Sequence, residues 1–157
     1  MGVTGEKQLN LSQLLHVFSL LILASCAGAA SKSDLDDEVR RLCGIDGGVK
    51  IYETVRLPPE KLNQWGQPNF YLPTEGQNAL GAEYTFHRER KYLREGNPSL
   101  RRSHYSIVRR SDNKLLGESI SYSRGGGDAP GPWQPSSYSC PEIAGDIPLL
   151  TKVFLAQ

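Results

Sequence analysis

The chain has 157 residues, of which 38% are hydrophobic and 22% charged, and its net charge is +1. A chain of this length forms a single domain, and its near-neutral charge excludes the global field that draws strongly basic proteins to nucleic acid or membrane surfaces. Its 16 glycines and 10 prolines lie mainly between strand-like segments, which favours a loop-rich β protein over a helical bundle.

The amino-terminal segment predicts export from the cytoplasm. An apolar run covers residues 14–23 and is interrupted by His16 and Ser19. Such a run is too short for a transmembrane helix, which takes about 20 residues, but it matches the apolar region of a signal peptide. The positively charged start is weak, with Lys7 and the terminal amine set against Glu6.

The apolar run ends in Leu23-Ala24-Ser25-Cys26, which resembles the lipobox of bacterial lipoproteins. In that family a dedicated peptidase cuts before the cysteine, whose thiol carries a diacylglyceryl group and whose freed amine is acylated. Two or three acyl chains give stable anchoring where one gives only marginal binding. The resemblance implies a signal peptide over 1–25 and a lipid on Cys26.

The same resemblance implies that the protein is anchored in the cell envelope and faces the periplasm. Residue 27 is alanine and not aspartate, which by analogy with enterobacterial lipoproteins favours the outer over the inner membrane. As a whole the chain is similar to small Gram-negative envelope lipoproteins without an assigned activity. Two alternatives stay open: a secretory signal cut near Ala27-Gly28-Ala29, which would give a periplasmic protein without lipid, and a buried cytoplasmic helix.

The cysteine count agrees with an exported protein. If Cys26 is lipidated, Cys43 and Cys140 are the pair that remains, and an oxidising periplasm would close it into a disulfide. The ring would span 97 residues; a loop near 100 residues corresponds to about 4.7 kcal/mol of chain-entropy stabilisation. Two free buried thiols are the alternative.

The mature chain is predicted to start with a small, polar tether over 26–33 and to continue as one globular domain over 34–157. Ser33 is the predicted cap of a short helix that ends at Gly44 or at the Gly47-Gly48 pair. Its apolar residues follow helical spacing and are Leu35, Val39, Leu42 and Cys43.

Alternation of apolar and polar residues predicts several strands after the helix. A brief helical turn after Pro58-Pro59 would position Trp65, turns are predicted at 95–98 and 111–114, and 125–139 is irregular, with Trp133 packed on the core. The predicted strands cover 49–57, 82–94, 101–110, 115–123 and 149–155. The predicted fold class is α+β: a short amino-terminal helix against an antiparallel sheet of about four to five strands, with one disulfide.

A basic stretch between residues 88 and 110 is the most distinctive chemical feature. Two glutamates accompany the eight cations, so the segment carries +6. On adjacent strands these side chains would form an anion-binding patch for phospholipid, lipid A phosphates or acidic glycans; a solvated face that protects an edge strand is the alternative. Export argues against nucleic acid as a partner. The cations are Arg88, Arg90, Lys91, Arg94, Arg101, Arg102, Arg109 and Arg110.

Other chemistries lack their motifs. The sequence contains neither H-x-x-x-H nor H-E-x-x-H and has no spare cysteine, so it predicts no metal site. It also lacks the G-x-S-x-G motif of serine hydrolases, and it indicates no cofactor. Residues 124–128 resemble a phosphate loop only superficially, since Pro130 and Pro132 forbid the helix that such a loop opens. The sequence therefore favours a non-enzymatic binding or structural module.

Two other functional hypotheses stay open. One is an inhibitor or immunity-type lipoprotein, such as a lysozyme inhibitor, that inserts a loop such as 125–139 into a partner's cleft. The other is a periplasmic hydrolase, which would need a cleft that holds His87 or His104 beside a carboxylate.

Overall fold

The computed structural model describes residues 30–157, so the predicted signal peptide and Cys26 lie outside the described residues. Ser31–Gln157 form one compact unit. Its elements are α1 (Lys32–Asp46), β1 (Gly48–Ile51), β2 (Val55–Leu57), β3 (Tyr84–Arg94), β4 (Ser99–Arg109), β5 (Lys114–Gly125), β6 (Ser137–Cys140), α2 (Asp146–Val153) and β7 (Phe154–Ala156).

Five of the strands form one antiparallel sheet. The order is β1-β5-β4-β3, and β6 pairs with the same side of β5 as β1 does, so that β3 is an edge strand. The long strands β3, β4 and β5 are joined by the turns predicted at 95–98 and 111–114. The predicted combination of an amino-terminal helix and an antiparallel sheet is confirmed.

A disulfide between Cys43 and Cys140 fastens the last turn of α1 to the last residue of β6. The two Cα atoms are 5.9 Å apart and 97 residues apart in sequence. The predicted pairing is confirmed. It restricts the unfolded chain by closing a long loop, which is the basis of its stabilising effect.

The two faces of the sheet are covered by different helices. On the first, here called face A, α2 packs against the middle of the sheet: a Cβ added to Gly117 would lie 3.0 Å from a methyl of Val153 and 3.1 Å from one of Leu149. The hydrophobic core lies here. Its buried side chains include Phe86, Ile107, Leu149, Leu150, Val153 and Phe154.

Helix α1 contacts β5 and β6, buries Leu35 and Val39, and covers part of the opposite face, here called face B. It begins two residues earlier than predicted. Ser31, and not Ser33, is the N-cap, because its hydroxyl accepts from the Asp34 amide at 3.2 Å and the Asp34 carboxylate accepts from the Ser31 amide at 3.0 Å.

Asp36, in the first half of α1, binds a buried arginine of β5. Arg124 is 2% exposed; its Nε donates to Asp36 Oδ1 at 2.8 Å, and its Nη1 donates to the carbonyls of Gly126 and Ser136 at 2.7 and 2.8 Å. One guanidinium therefore joins α1, β5 and the loop 126–136.

The prediction of a strand over 149–155 is wrong. Residues 146–153 form α2, and only Phe154–Ala156 are extended, pairing in parallel with β2. A short apolar run fits a buried helix as well as a strand by periodicity. Leu149, Leu150 and Val153 share the buried side of the helix.

The predicted strand over 49–57 is two strands that belong to different sheets. The break falls where the amides of Tyr52 and Glu53 both donate to the carbonyl of Leu116, at 2.8 and 3.0 Å. Two donors on one acceptor interrupt the regular ladder, and the chain leaves the main sheet there.

Neither tryptophan is in the core, which contradicts the prediction that Trp133 packs on it. Trp65 is 68% exposed and Trp133 is 55% exposed. Trp65 lies in a tight turn whose amides donate to the side chain of Asn63. The buried positions in the following segment belong to Pro68, Ala79 and Leu80.

We expect Arg124→Met to lower the free energy of unfolding by about 3–5 kcal/mol, because it leaves the partly buried Asp36 carboxylate and two loop carbonyls without their donor. Urea unfolding of the oxidised protein measures the change. Arg41→Met removes an arginine that pairs with Glu38 on the exposed side of α1 and should change little. Equal effects of the two substitutions would contradict the role given to Arg124.

Candidate anion-binding site

Strand alternation divides the basic stretch between the two faces of the sheet. Arg88, Arg90 and Arg101 occupy face A, since they pair in register with the face A residues Tyr105, Ser103 and Ser123. Lys91, Arg94 and Arg102 occupy face B, where Arg102 pairs with Tyr122 and Arg94 with Leu100. Arg109 and Arg110 lie at the β4–β5 turn. The structure therefore brings together smaller groups than the full set of eight.

Four of these cations form ion pairs or hydrogen bonds with other residues of the domain and therefore have a structural role. Arg88 and Arg102 each lie 3.4 Å from a carboxylate, those of Asp146 and Asp46. Arg109 pairs with Glu53 and Asp112, and Arg110 donates to the Tyr84 carbonyl and the Asn78 side chain.

The remaining four, Arg90, Lys91, Arg94 and Arg101, have no carboxylate within ion-pair distance among residues 30–157. The Nε atoms of Arg94 and Arg101 are buried and have no hydrogen-bond partner in that part of the chain. A buried donor without an acceptor costs about 1–3 kcal/mol. Each of these two guanidinium groups therefore has a donor that the described part of the domain does not satisfy.

Arg101 lines a small cavity on face A, here called the Arg101 cup. Its volume is about 170 Å³, which suits one small group and not a drug-sized molecule. Two adjacent cross-strand rows form its floor: Tyr92, Arg101, Ser123 and Ser139, then Ser99, Gly125 and Ser137.

The lining of the cup supplies donors and no carboxylate. Ser99 Oγ reaches the Gly125 carbonyl at 3.4 Å, while the hydroxyls of Ser123, Ser137 and Ser139 make no hydrogen bond to any residue in the described range. A guanidinium with neighbouring hydroxyls matches the oxygens of phosphate, sulfate or carboxylate. The positive charge of Arg101 therefore makes the cup suited to an anion and unfavourable for a cation.

Sequence reasoning identified Arg101 but missed the serines of the cup. The signal is visible in the printed sequence: serines recur at every second position over 119–123 and again at 137 and 139. On a strand this spacing places them on one face. Only the register shows that this face is the one that carries Arg101.

The loop 126–136 begins and ends at the rim of the cup, because Gly125 and Ser137 both line it. Its Asp128 carboxylate accepts from Lys32 Nζ at 2.7 Å and from the Ser136 amide and hydroxyl at 2.6 and 2.9 Å. These hydrogen bonds lower the pKa of Asp128 from 3.8 to about 2, and the hydrogen bond from Lys32 has the largest effect. Trp133 donates its indole N–H to the Ala129 carbonyl at 3.1 Å.

A second cavity of about 530 Å³ lies along the edge strand and contains both histidines of the domain. His87, His104, Glu89 and Ser106 line it. His104 Nε2 lies 3.0 Å from Glu118, and the Glu118 carboxylate also accepts from Tyr52 at 2.6 Å, the largest of the contacts that lower its pKa. The hydrolase hypothesis required a histidine beside a carboxylate in a cleft, and this cavity has both.

That cavity nevertheless lacks a nucleophile in contact with a base. No serine hydroxyl in residues 30–157 is hydrogen-bonded to His87 or His104, and activation of serine needs such a contact. The same residues hold no cluster of three or more His, Cys, Asp or Glu suited to a metal ion, and neither helix among them is long and apolar enough to cross a bilayer.

Comparison with known proteins gives no match: no family, no curated protein and no solved structure is similar to this chain.

We expect the loop 126–136 to loosen only in strong acid. A depressed carboxyl pKa contributes to order fully above the ordinary value of 3.8, and the contribution is lost as pH falls through about 2. In a Trp65→Phe protein, Trp133 emission should therefore stay constant from neutral pH to about pH 4 and change below it.

Asp128→Asn should give the acid-form emission already at neutral pH, while Glu95→Gln serves as the matched control and should not. Far-ultraviolet circular dichroism checks that the sheet persists during the titration. An Asp128→Asn protein with wild-type emission at neutral pH would show that this carboxylate does not order the loop.

Proposed function

We propose that this protein is a lipid-anchored domain of the bacterial cell envelope that acts without catalysis and binds a phosphate group in the Arg101 cup. The observation that carries the proposal is the Arg101 side chain, which lines a cavity together with four serines and no carboxylate and whose Nε has no hydrogen-bond partner among residues 30–157.

The Cys43–Cys140 disulfide supports the envelope location, because such crosslinks persist in oxidising compartments and are rare in the cytosol. The resemblance of residues 23–26 to a lipobox supports the anchor, with the lipid on Cys26 and the outer membrane favoured by Ala27. A non-enzymatic role is favoured because the histidine-lined cavity lacks a contacting nucleophile.

Phosphate is the anion that fits the donors best. Arginine presents a planar fork of N–H donors to phosphate oxygens, and the hydroxyls of Ser123, Ser137 and Ser139 would meet oxygens that the guanidinium does not reach. A planar carboxylate has fewer oxygens for so many donors. Phosphate groups are present in the envelope on phospholipids and lipid A.

For the anchor, we expect a radioactive fatty acid to label the wild-type protein in Gram-negative cells and not Cys26→Ala. The thiol is the site of the first acylation and the residue at which the signal is cut, so its loss removes both steps. Cys43→Ala with Cys140→Ala is the control and should keep the label. A label that survives Cys26→Ala would refute the lipid anchor.

For the cup, we expect inorganic phosphate at low ionic strength to raise the unfolding temperature of the wild-type protein, since a ligand of the native state stabilises it. Arg101→Gln should weaken the apparent affinity by about tenfold or more, because it removes a charge-assisted donor. Calorimetric titration gives the affinity directly.

Lys91→Gln is the matched control: it makes the same change of charge on face B and should bind phosphate as the wild type does. Equal responses of Arg101→Gln and Lys91→Gln would exclude the cup, and a wild-type protein indifferent to phosphate would exclude the proposed ligand.

A further inference from the structure

We propose that the end of the domain formed by the loop 126–136 and the turn 95–98, here called the anchor end, lies against an anionic bilayer with Trp133 at the headgroup level. The inference deepens the proposed function and assumes its lipid anchor on Cys26.

The first support is the place where the chain enters the domain. Lys32, at the start of α1, pairs with Asp128 of the loop, and a Cβ on Gly127 would lie 3.2 Å from Lys32 Cβ and 3.1 Å from Pro98 Cβ. The start of the helix, the loop and the turn therefore meet. Cys26 precedes Ser31 by five residues, which span at most about 18 Å, so a lipid on Cys26 holds this end close to the membrane.

The second support is the apolar surface exposed at this end. Trp133 is 55% exposed, and Tyr92 and Leu93, at the end of β3 before the turn, are 53% and 42% exposed. Tryptophan and tyrosine favour the membrane–water interface. The indole N–H of Trp133 already donates to the Ala129 carbonyl, so insertion of the ring would not strip an unpaired donor of water.

The third support is the charge of this end. Lys91, Arg94 and Arg101 have no carboxylate within ion-pair distance in the described part of the chain. Among the nearby acids, Asp36 binds Arg124 and Asp128 binds Lys32. Asp34 at the start of α1 and Glu95 in the turn have no cation within ion-pair distance in the described residues, so the three cations exceed these two carboxylates by one charge. The surplus of positive charge favours anionic lipid over neutral lipid.

The test places the lipidated mature protein, which starts at Cys26, in vesicles of phosphatidylglycerol and phosphatidylethanolamine whose acyl chains carry bromine, which quenches tryptophan at short range. Trp65→Phe leaves Trp133 as the reporter, and Trp133→Phe leaves Trp65 as the matched control. We expect blue-shifted emission and strong quenching of Trp133 but not of Trp65, together with weaker quenching in phosphatidylcholine or at high salt.

Trp133 that stays as accessible to aqueous acrylamide on vesicles as in the free protein would overturn the inference. So would Trp133 that is shielded by an added protein partner and not by vesicles, as the inhibitor hypothesis requires. Fatty acid labelling of Cys26 with a water-exposed Trp133 would leave the anchor standing and remove only this inference. Unlipidated 27–157 that binds vesicles through Trp133 would support the membrane contact without the anchor.

Discussion

The buried guanidinium of Arg124 is the contact on which the arrangement of the domain depends. A charge removed from water must be surrounded by acceptors, and those of Arg124 come from α1 through Asp36 and from both ends of the loop 126–136. The helix is thereby fixed over face B at one end by this ion pair and at the other by the disulfide. Both the start of α1 and the loop are held at the end of the sheet where the proposed contacts with the membrane lie.

The candidate site exists because face A is longer than the element that covers it. Helix α2 has eight residues and lies over the middle of the sheet around Gly117, so the rows from Ser103 to Ser99 extend beyond it. These uncovered rows carry polar side chains in place of apolar ones, and Arg101 lies among them without an internal partner. The loop 126–136 starts from the same rows, which is why the phosphate proposal and the membrane proposal concern neighbouring residues.

Local patterns predicted the features that depend on short stretches of chain. The helical spacing around Leu35 and Val39, the turn residues at 111–114 and the pair of cysteines gave the fold class and the crosslink. Features that depend on register were not predictable in this way: the spacing of the serines does not reveal that Ser123 and Ser139 lie in the same cross-strand row as Arg101. The prediction of a strand at 149–155 failed because an apolar run of this length suits either a helix or a strand. Packing against the sheet favours the helix.

The edge strand β3 has a consequence for how copies of this protein behave at high concentration. Four successive residues of its exposed stretch, Arg88, Glu89, Arg90 and Lys91, are charged, and an unpaired strand edge is otherwise a template for sheet growth between molecules. Pairing of two such edges would bring cations of the two molecules close together and remove their hydrating water, and both effects cost free energy. These four charged residues of β3 therefore act as gatekeepers against aggregation, and replacing them with neutral residues would favour self-association of the protein through this edge.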